Sequence, residues 1–159
     1  MRSSGTRRFA AAGCVAVLAT VWSAGVSSAA SPQFVKPEDA VKYRQGALFV
    51  LSQHFARIGA MVNGRAPYDG KAAVEHAEVV AQLSRLTMDG FAAGPDKISD
   101  RAKPEIWTEA ARFREHNEKF VSETNKLLAA AKTNNIAALK TAFSSTAGTC
   151  KSCHDAYRN

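Results

Sequence analysis

The sequence predicts an all-α fold, specifically an antiparallel four-helix bundle. Apolar residues recur at steps of three and four in four separate segments, and residues typical of turns and helix ends separate those segments. No segment alternates apolar and polar residues as a half-exposed strand would. Because most of the connections are short turns, we expect consecutive helices to pack side by side in opposite directions.

The first predicted helix begins at Pro37. A proline in the first turn, followed by the acids Glu38 and Asp39 near the positive end of the helix dipole, is typical of a helix start. Asn63-Gly64 ends the helix. Its apolar face is predicted to contain Val41, Arg44 or Gln45, Leu48, Leu51, Phe55, Ile58 and Met61.

Three further helices follow. The second is predicted over residues 71–88, and the stretch 90–103 is the one long irregular connection. Pro104 and an acid start the third helix in the same way as the first. The fourth helix runs from Ile136 towards the C-terminus, and Gly148 within it predicts a close approach of another element.

The N-terminal segment has the layout of a secretory signal peptide. Arginines at the start precede an almost uncharged run at 9–26, and small residues follow it up to Ala30. Cleavage near Ala30 would remove residues 1–30 and leave 31–159 as one helical-bundle domain in the periplasm, with no stable membrane anchor. The alternative is an uncleaved anchor, because the run approaches spanning length.

Charge and cysteine content narrow the functional classes. Residues 1–30 contain three of the 21 basic residues and none of the 14 acids, so their removal lowers the net charge from +7 to +4. That balance is ordinary for a soluble domain and gives no case for nucleic-acid binding. Cys150 and Cys153 are then the remaining cysteines, and two cysteines so close in sequence do not form a framework of disulfides.

Those two cysteines belong to Cys150-Lys151-Ser152-Cys153-His154, the attachment signature of a c-type haem. In such a motif each thiol adds to a vinyl group of the porphyrin and the imidazole binds the iron. The cysteines and the histidine stand at i, i+3 and i+4, so a helix presents all three on one face. We therefore expect one covalently attached haem c, with His154 as the axial iron ligand.

Other interpretations of the motif fit less well. A thioredoxin-like redox pair opens the helix of a βαβ unit, and nothing strand-like precedes this one. A zinc site needs further ligands, and His54, His76 and His116 are dispersed singly. A disulfide within the motif would close a very short ring with poor geometry.

Any second axial ligand must come from upstream helices, because only residues 155–159 follow His154. The apolar candidates Met61 and Met88 more often fill cores than bind iron. The complete set of candidates is Met61, Met88, His54, His76 and His116.

The chain resembles the cytochromes c′, the four-helix class II cytochromes c, over essentially all of residues 31–159. The motifs that carry this resemblance lie at residues 33–45, 66–69, 101–107 and 150–158. The resemblance implies five-coordinate, high-spin iron, with an apolar residue of the first helix closing the side opposite the histidine. Leu48 stands at that position.

The resemblance also implies surrounding roles. Arg44 and Gln45 would lie near the haem edge and its propionates, where a guanidinium can bind a carboxylate through two hydrogen bonds; a solvated stretch of an amphipathic helix is the alternative. Arg158 would lie beside the proximal imidazole, or would simply be a cation at a helix C-terminus. The segment 88–91 falls where relatives often place an aromatic residue near the haem.

The implied function is a periplasmic, non-enzymatic haem protein that binds nitric oxide and carbon monoxide and carries single electrons. The alternative is a six-coordinate, low-spin electron carrier. A peroxidase or nitric oxide reductase would need a polar group over the iron, and Leu48 argues against it. The family is commonly homodimeric through its first two helices, and Phe49, Val50 and Val62 are candidates for an exposed apolar patch.

Overall fold

The computed structural model of the 159-residue chain describes residues 34–91 and 101–159. The predicted signal peptide at 1–30 and much of the long connection lie outside those residues. The described helices are α1 (Pro37–Val62), α2 (Gly70–Ser84), α3 (Glu105–Thr108), α4 (Ala110–Lys132) and α5 (Ile136–Tyr157), with a 3₁₀ turn at Asp89–Phe91.

The four long helices form the predicted bundle, and the prediction of an all-α fold is confirmed. Helix α1 packs on α2 and α5, while α4 packs on α2 and α5. The described residues contain no strand, only an isolated antiparallel bridge between Ala102 and Arg158. The chain therefore runs up and down through the bundle, and α1 and α5 lie side by side in opposite directions.

Local sequence explains where the long helices begin. Pro37 opens α1, and the side chain of Asp69 caps α2 by accepting hydrogen bonds from the backbone N–H groups of the first turn. Asn135 caps α5 in the same way. Each cap satisfies donors that have no partner inside the helix. Gly64 follows α1 with a φ of 69°, which glycine adopts without steric cost.

Helix α2 is shorter than predicted: it ends at Ser84, whereas the sequence predicts an end at Met88. The Thr87 hydroxyl donates a hydrogen bond to the Ser84 carbonyl oxygen over 3.0 Å, so that oxygen is satisfied without another helical turn. The third predicted helix is also interrupted at Glu109, where ψ is 38°. Residues near both ends also contact other elements, since the Thr87 hydroxyl lies 2.9 Å from Asn117 Oδ1 of α4 and Glu109 accepts a hydrogen bond from Tyr157 of α5.

The core lies along the centre of the bundle. Its fully enclosed members come from α1, α2, α4 and α5 and include Ile58, Val80, Leu127 and Leu139. Val62 is also buried, so the expectation that it adds to an exposed apolar patch is wrong. A second cluster, Ile106, Phe113 and Tyr157, packs near the C-terminus together with Cys153.

The expectation of a close approach at Gly148 is wrong, because a Cβ atom there would meet nothing within 4 Å. The glycine that faces another element is Gly59 of α1. A Cβ atom at Gly59 would stand 2.8 Å from Cζ of Phe143 in α5. The ring of Phe143 stacks on that of Phe55, with centroids 4.3 Å apart and planes 16° apart. These residues set the spacing of α1 and α5.

Candidate haem-binding site

The Cys-x-x-Cys-His motif occupies the last two turns of α5, as its spacing predicts. The end of this helix is tied down by backbone hydrogen bonds: Lys103 N–H donates to the Tyr157 carbonyl, and Asn159 N–H donates to that of Arg101. Arg158 N–H donates to His154 O over 3.0 Å. The segment before α3 therefore braces the helix turn that carries His154.

The two thiols of the motif are free and half-buried. Burial raises the pKa of Cys150, and burial together with the neighbouring Cys150 raises the pKa of Cys153. Both thiols are therefore protonated at neutral pH and are not joined in the disulfide considered as an alternative. In the described residues no group of three or more His, Cys, Asp or Glu side chains gathers for a metal ion.

The imidazole of His154 is held in its neutral form. Burial, then the nearby positive charge of Arg158, lowers the pKa of His154, and Asp155 opposes them with a smaller effect. A neutral imidazole has the lone pair that a metal requires. Arg158 thus acts on His154 electrostatically.

A polar and aromatic cluster supports this turn of α5. Tyr157 is buried, and its hydroxyl donates to Glu109 Oε2 over 3.2 Å. Its ring meets those of Phe113 and His116 edge to face, with centroids 5.1 and 5.5 Å apart. His116 Nδ1 also lies 3.2 Å from the Ser152 hydroxyl. Sequence reasoning missed Glu109, and periodicity offers no signal for it.

Leu48 lies on α1 at the level of the thiols. It precedes Phe55 by seven residues, and Cys150 follows Phe143 by seven residues on the antiparallel helix α5. Seven residues are two helical turns and span about 10 Å along the helix axis. Leu48 and Cys150 therefore lie at the same distance from the stacked rings of Phe55 and Phe143, towards the same end of the bundle. Leu48 is 37% exposed, although the sequence places it on the core-facing stripe of α1.

Arg44 and Gln45 are neighbours in sequence but have different environments. Arg44 is only 4% exposed, and its Nη1 donates to the Gly90 carbonyl oxygen over 2.9 Å. Its guanidinium carbon lies 4.7 Å from the centroid of the Phe91 ring. Gln45 is exposed. The structure thus links Arg44 to the 3₁₀ turn, a contact that the sequence did not predict.

Phe91 is the aromatic residue of the segment 88–91. Trp107 Nε1 donates a hydrogen bond to the Phe91 carbonyl oxygen over 3.0 Å. The Phe91 ring meets the Phe113 ring with centroids 5.0 Å apart. A Cβ atom at Gly90 would collide with Arg44, so a glycine is needed for this close approach. The 3₁₀ turn is thereby fixed against α1 and α3.

The upstream candidates for a second axial ligand have other contacts. Met61 is buried in the main core, and Met88 packs against the cluster that contains Tyr157. His54 and His76 face each other across α1 and α2, with their Nδ1 atoms 3.1 Å apart.

The site therefore combines two neutral thiols, a neutral imidazole and an apolar side chain on the facing helix. Thiols for covalent attachment and one imidazole for iron are the donors that a c-type haem requires, so these residues fit that group. The fold and site define a haem-binding helical bundle.

Comparisons with known proteins agree. The family model described as Cytochrome C′ matches residues 39–158. The cytochrome c′ of Rubrivivax gelatinosus is 43% identical over 127 residues, which cover 79% of this chain and 98% of that protein. That of Alcaligenes xylosoxydans xylosoxydans is 44% identical over 126 residues, with the same coverage.

Solved structures give the same result. The crystal structure of Rubrivivax gelatinosus cytochrome c′ matches with a TM-score of 0.76 and 43% identity, over 80% of this chain and 100% of that chain. A nitric oxide complex of a leucine-to-alanine mutant of cytochrome c prime from Alcaligenes xylosoxidans also matches, with a TM-score of 0.74 and 42% identity. The match covers 80% of this chain and 98% of that chain.

The chain belongs to the cytochrome c′ family. Its cofactor is accordingly one covalently attached haem c, as predicted from the motif. No helix in the described parts of the chain, 34–91 and 101–159, is long and apolar enough to cross a membrane.

Proposed function

We propose that this protein binds nitric oxide and carbon monoxide at a five-coordinate haem iron and transfers single electrons, without being an enzyme. The observation that carries the proposal is the exposed Leu48 on α1, at the level of Cys150 on the antiparallel α5. The nitric oxide complex of the Alcaligenes xylosoxidans relative supports the same ligand class.

Cys150 and Cys153 would hold the haem covalently, and His154 would bind its iron. When bound, haem c supplies an iron that takes up a small axial ligand and cycles between two oxidation states. The braced end of α5 holds the helix turn that carries the imidazole, and burial, together with the positive charge of Arg158, lowers the pKa of His154.

Leu48 forms the distal wall. A hydrocarbon side chain offers neither a hydrogen bond to stabilise bound oxygen nor a base for peroxide cleavage. It therefore favours small uncharged diatomic molecules and opposes enzymatic turnover. Met61 packs in the main core and His54 pairs with His76, so the six-coordinate alternative rests on Met88 and His116, which contact the cluster around Tyr157.

Arg44 and Gln45 interact with the propionate edge in this proposal, with Arg44 positioned through Gly90 and Phe91.

Residues 1–30 direct export and are removed near Ala30, so that 31–159 form the periplasmic haem domain. Phe49, 64% exposed, and Val50, 42% exposed, are the apolar residues of α1 through which two copies associate as a homodimer. Sedimentation of wild-type protein and Phe49→Ser measures that association.

A visible spectrum with and without nitric oxide tests the iron site. The purified ferrous protein should give the broad bands of high-spin haem, and nitric oxide should change them. Sharp low-spin bands before any ligand is added would contradict five-coordination.

Leu48→Ala tests the distal wall. Displacing a fully buried leucine side chain costs about 1.5–3 kcal/mol, and because Leu48 is 37% exposed the lower value applies, so the variant should bind carbon monoxide roughly tenfold more tightly. Leu86→Ala is the matched control, because Leu86 is 39% exposed and lies after α2. Equal affinities for the two variants would remove Leu48 from the ligand side of the site.

A further inference from the structure

Two histidines outside the haem site face each other across α1 and α2. The Nδ1 atoms of His54 and His76 are 3.1 Å apart, and the rings meet at 76° with centroids 5.0 Å apart. Both side chains are half-buried. Their helices are held together by the main core, which includes Ile58 and Val80, so the backbone positions of the two histidines are fixed relative to each other.

That separation is the one a chelating pair requires. Two imidazole nitrogens bound at about 2.0–2.1 Å to one metal ion, with an angle between about 90° and 109°, lie roughly 2.8–3.4 Å apart. We propose that His54 and His76 form a site for a divalent transition-metal ion of the Cu²⁺ or Zn²⁺ type, bound through both Nδ1 atoms.

The surroundings of His76 favour its neutral form. Burial, then the neighbouring His54 and Arg57, lowers the pKa of His76, and Glu75 opposes them with a smaller effect. The imidazole of His76 is therefore neutral at pH 7, as a metal ligand must be.

The existing contact rearranges without losing a proton. In the hydrogen-bonded pair one ring carries its proton on Nδ1 and donates it to the other. That ring takes the Nε2–H tautomer when metal binds, so both Nδ1 lone pairs become donors and neither imidazole is deprotonated overall. Acid should weaken binding, because protons compete for the same nitrogens.

Water completes the coordination sphere. No third His, Cys, Asp or Glu joins the two histidines among the residues that the structure describes. The site is also separate from the motif of α5, since both donors lie on α1 and α2.

Calorimetry on the ferric haem protein, after removal of trace metal by a chelator, tests the site with Cu²⁺ and Zn²⁺ at pH 7.5. One ion should bind per chain, and His54→Gln and His76→Gln should each weaken binding at least tenfold. His116→Gln is the matched control, because His116 lies on α4 with Ser152 as its partner.

Electron paramagnetic resonance of bound Cu²⁺ gives a second readout that does not depend on any variant folding. Wild-type protein should show hyperfine coupling to two nitrogens, which disappears on acidification to pH 5. Binding to wild-type protein no tighter than to the variants, one ion per two chains, or a copper signal without two coupled nitrogens would each overturn the proposal.

Discussion

Gly59→Ala tests whether the stacked rings of Phe55 and Phe143 set the spacing of α1 and α5. The added Cβ atom would stand 2.8 Å from Cζ and 3.2 Å from Cε2 of Phe143. Phe143 cannot retreat freely, because its ring is stacked on Phe55 at 4.3 Å. Overpacking of this kind costs about 1–3 kcal/mol.

A second effect acts in the opposite direction. Alanine is favoured over glycine inside a helix by about 1 kcal/mol. Gly46→Ala isolates this gain, because Gly46 also lies within α1 and a Cβ atom there meets nothing within 4 Å. We expect Gly46→Ala to raise the free energy of unfolding by about 1 kcal/mol and Gly59→Ala to lower it by about 1 kcal/mol.

Guanidinium denaturation and thermal denaturation at pH 7, both followed by circular dichroism, measure the free energy of unfolding and the melting temperature of the two variants. For a domain of this size 1 kcal/mol corresponds to roughly 4 °C in melting temperature, so the two variants should differ by about 8 °C. If Gly59→Ala stabilises the protein as much as Gly46→Ala does, the ring of Phe143 moves at no cost and the argument about helix spacing is wrong.

Two further variants probe the core and the support of the haem-binding turn. Leu139→Ala removes a side chain with 0% exposure and should lower the free energy of unfolding by about 2–5 kcal/mol, measured by the same denaturation; a loss below 1 kcal/mol would contradict its burial. Tyr157→Phe removes the hydroxyl that donates to Glu109 and should cost about 1 kcal/mol at pH 7. Burial, then the hydrogen bond to Glu109, raises the pKa of Tyr157, so its stabilising contribution is complete below about pH 10 and declines as pH rises towards the folded-state value. The variant should lose that alkaline dependence, and an unchanged stability profile above pH 10 would show that another group causes it.

Much of the fold follows from local patterns. Pro37 with its following acids, and the caps Asp69 and Asn135, act on adjacent backbone groups, so they can be recognised in the sequence. The ends of α2 and of the helix begun at Glu105 could not be predicted. Residues near these ends make contacts that are distant in sequence: Thr87 contacts Asn117, 30 residues away, and Glu109 accepts a hydrogen bond from a tyrosine 48 residues away.

The candidate site likewise has parts that the local sequence determines and parts that the packing of the helices determines. The sequence by itself determined the haem motif, because Cys150, Cys153 and His154 are brought to one face by helical geometry alone. Only the tertiary structure decided that Arg44 contacts Gly90 and Phe91 rather than sharing the exposed environment of Gln45. It also decided that His54 and His76 meet, since the packing of two helices has no counterpart in the spacing of residues along either one.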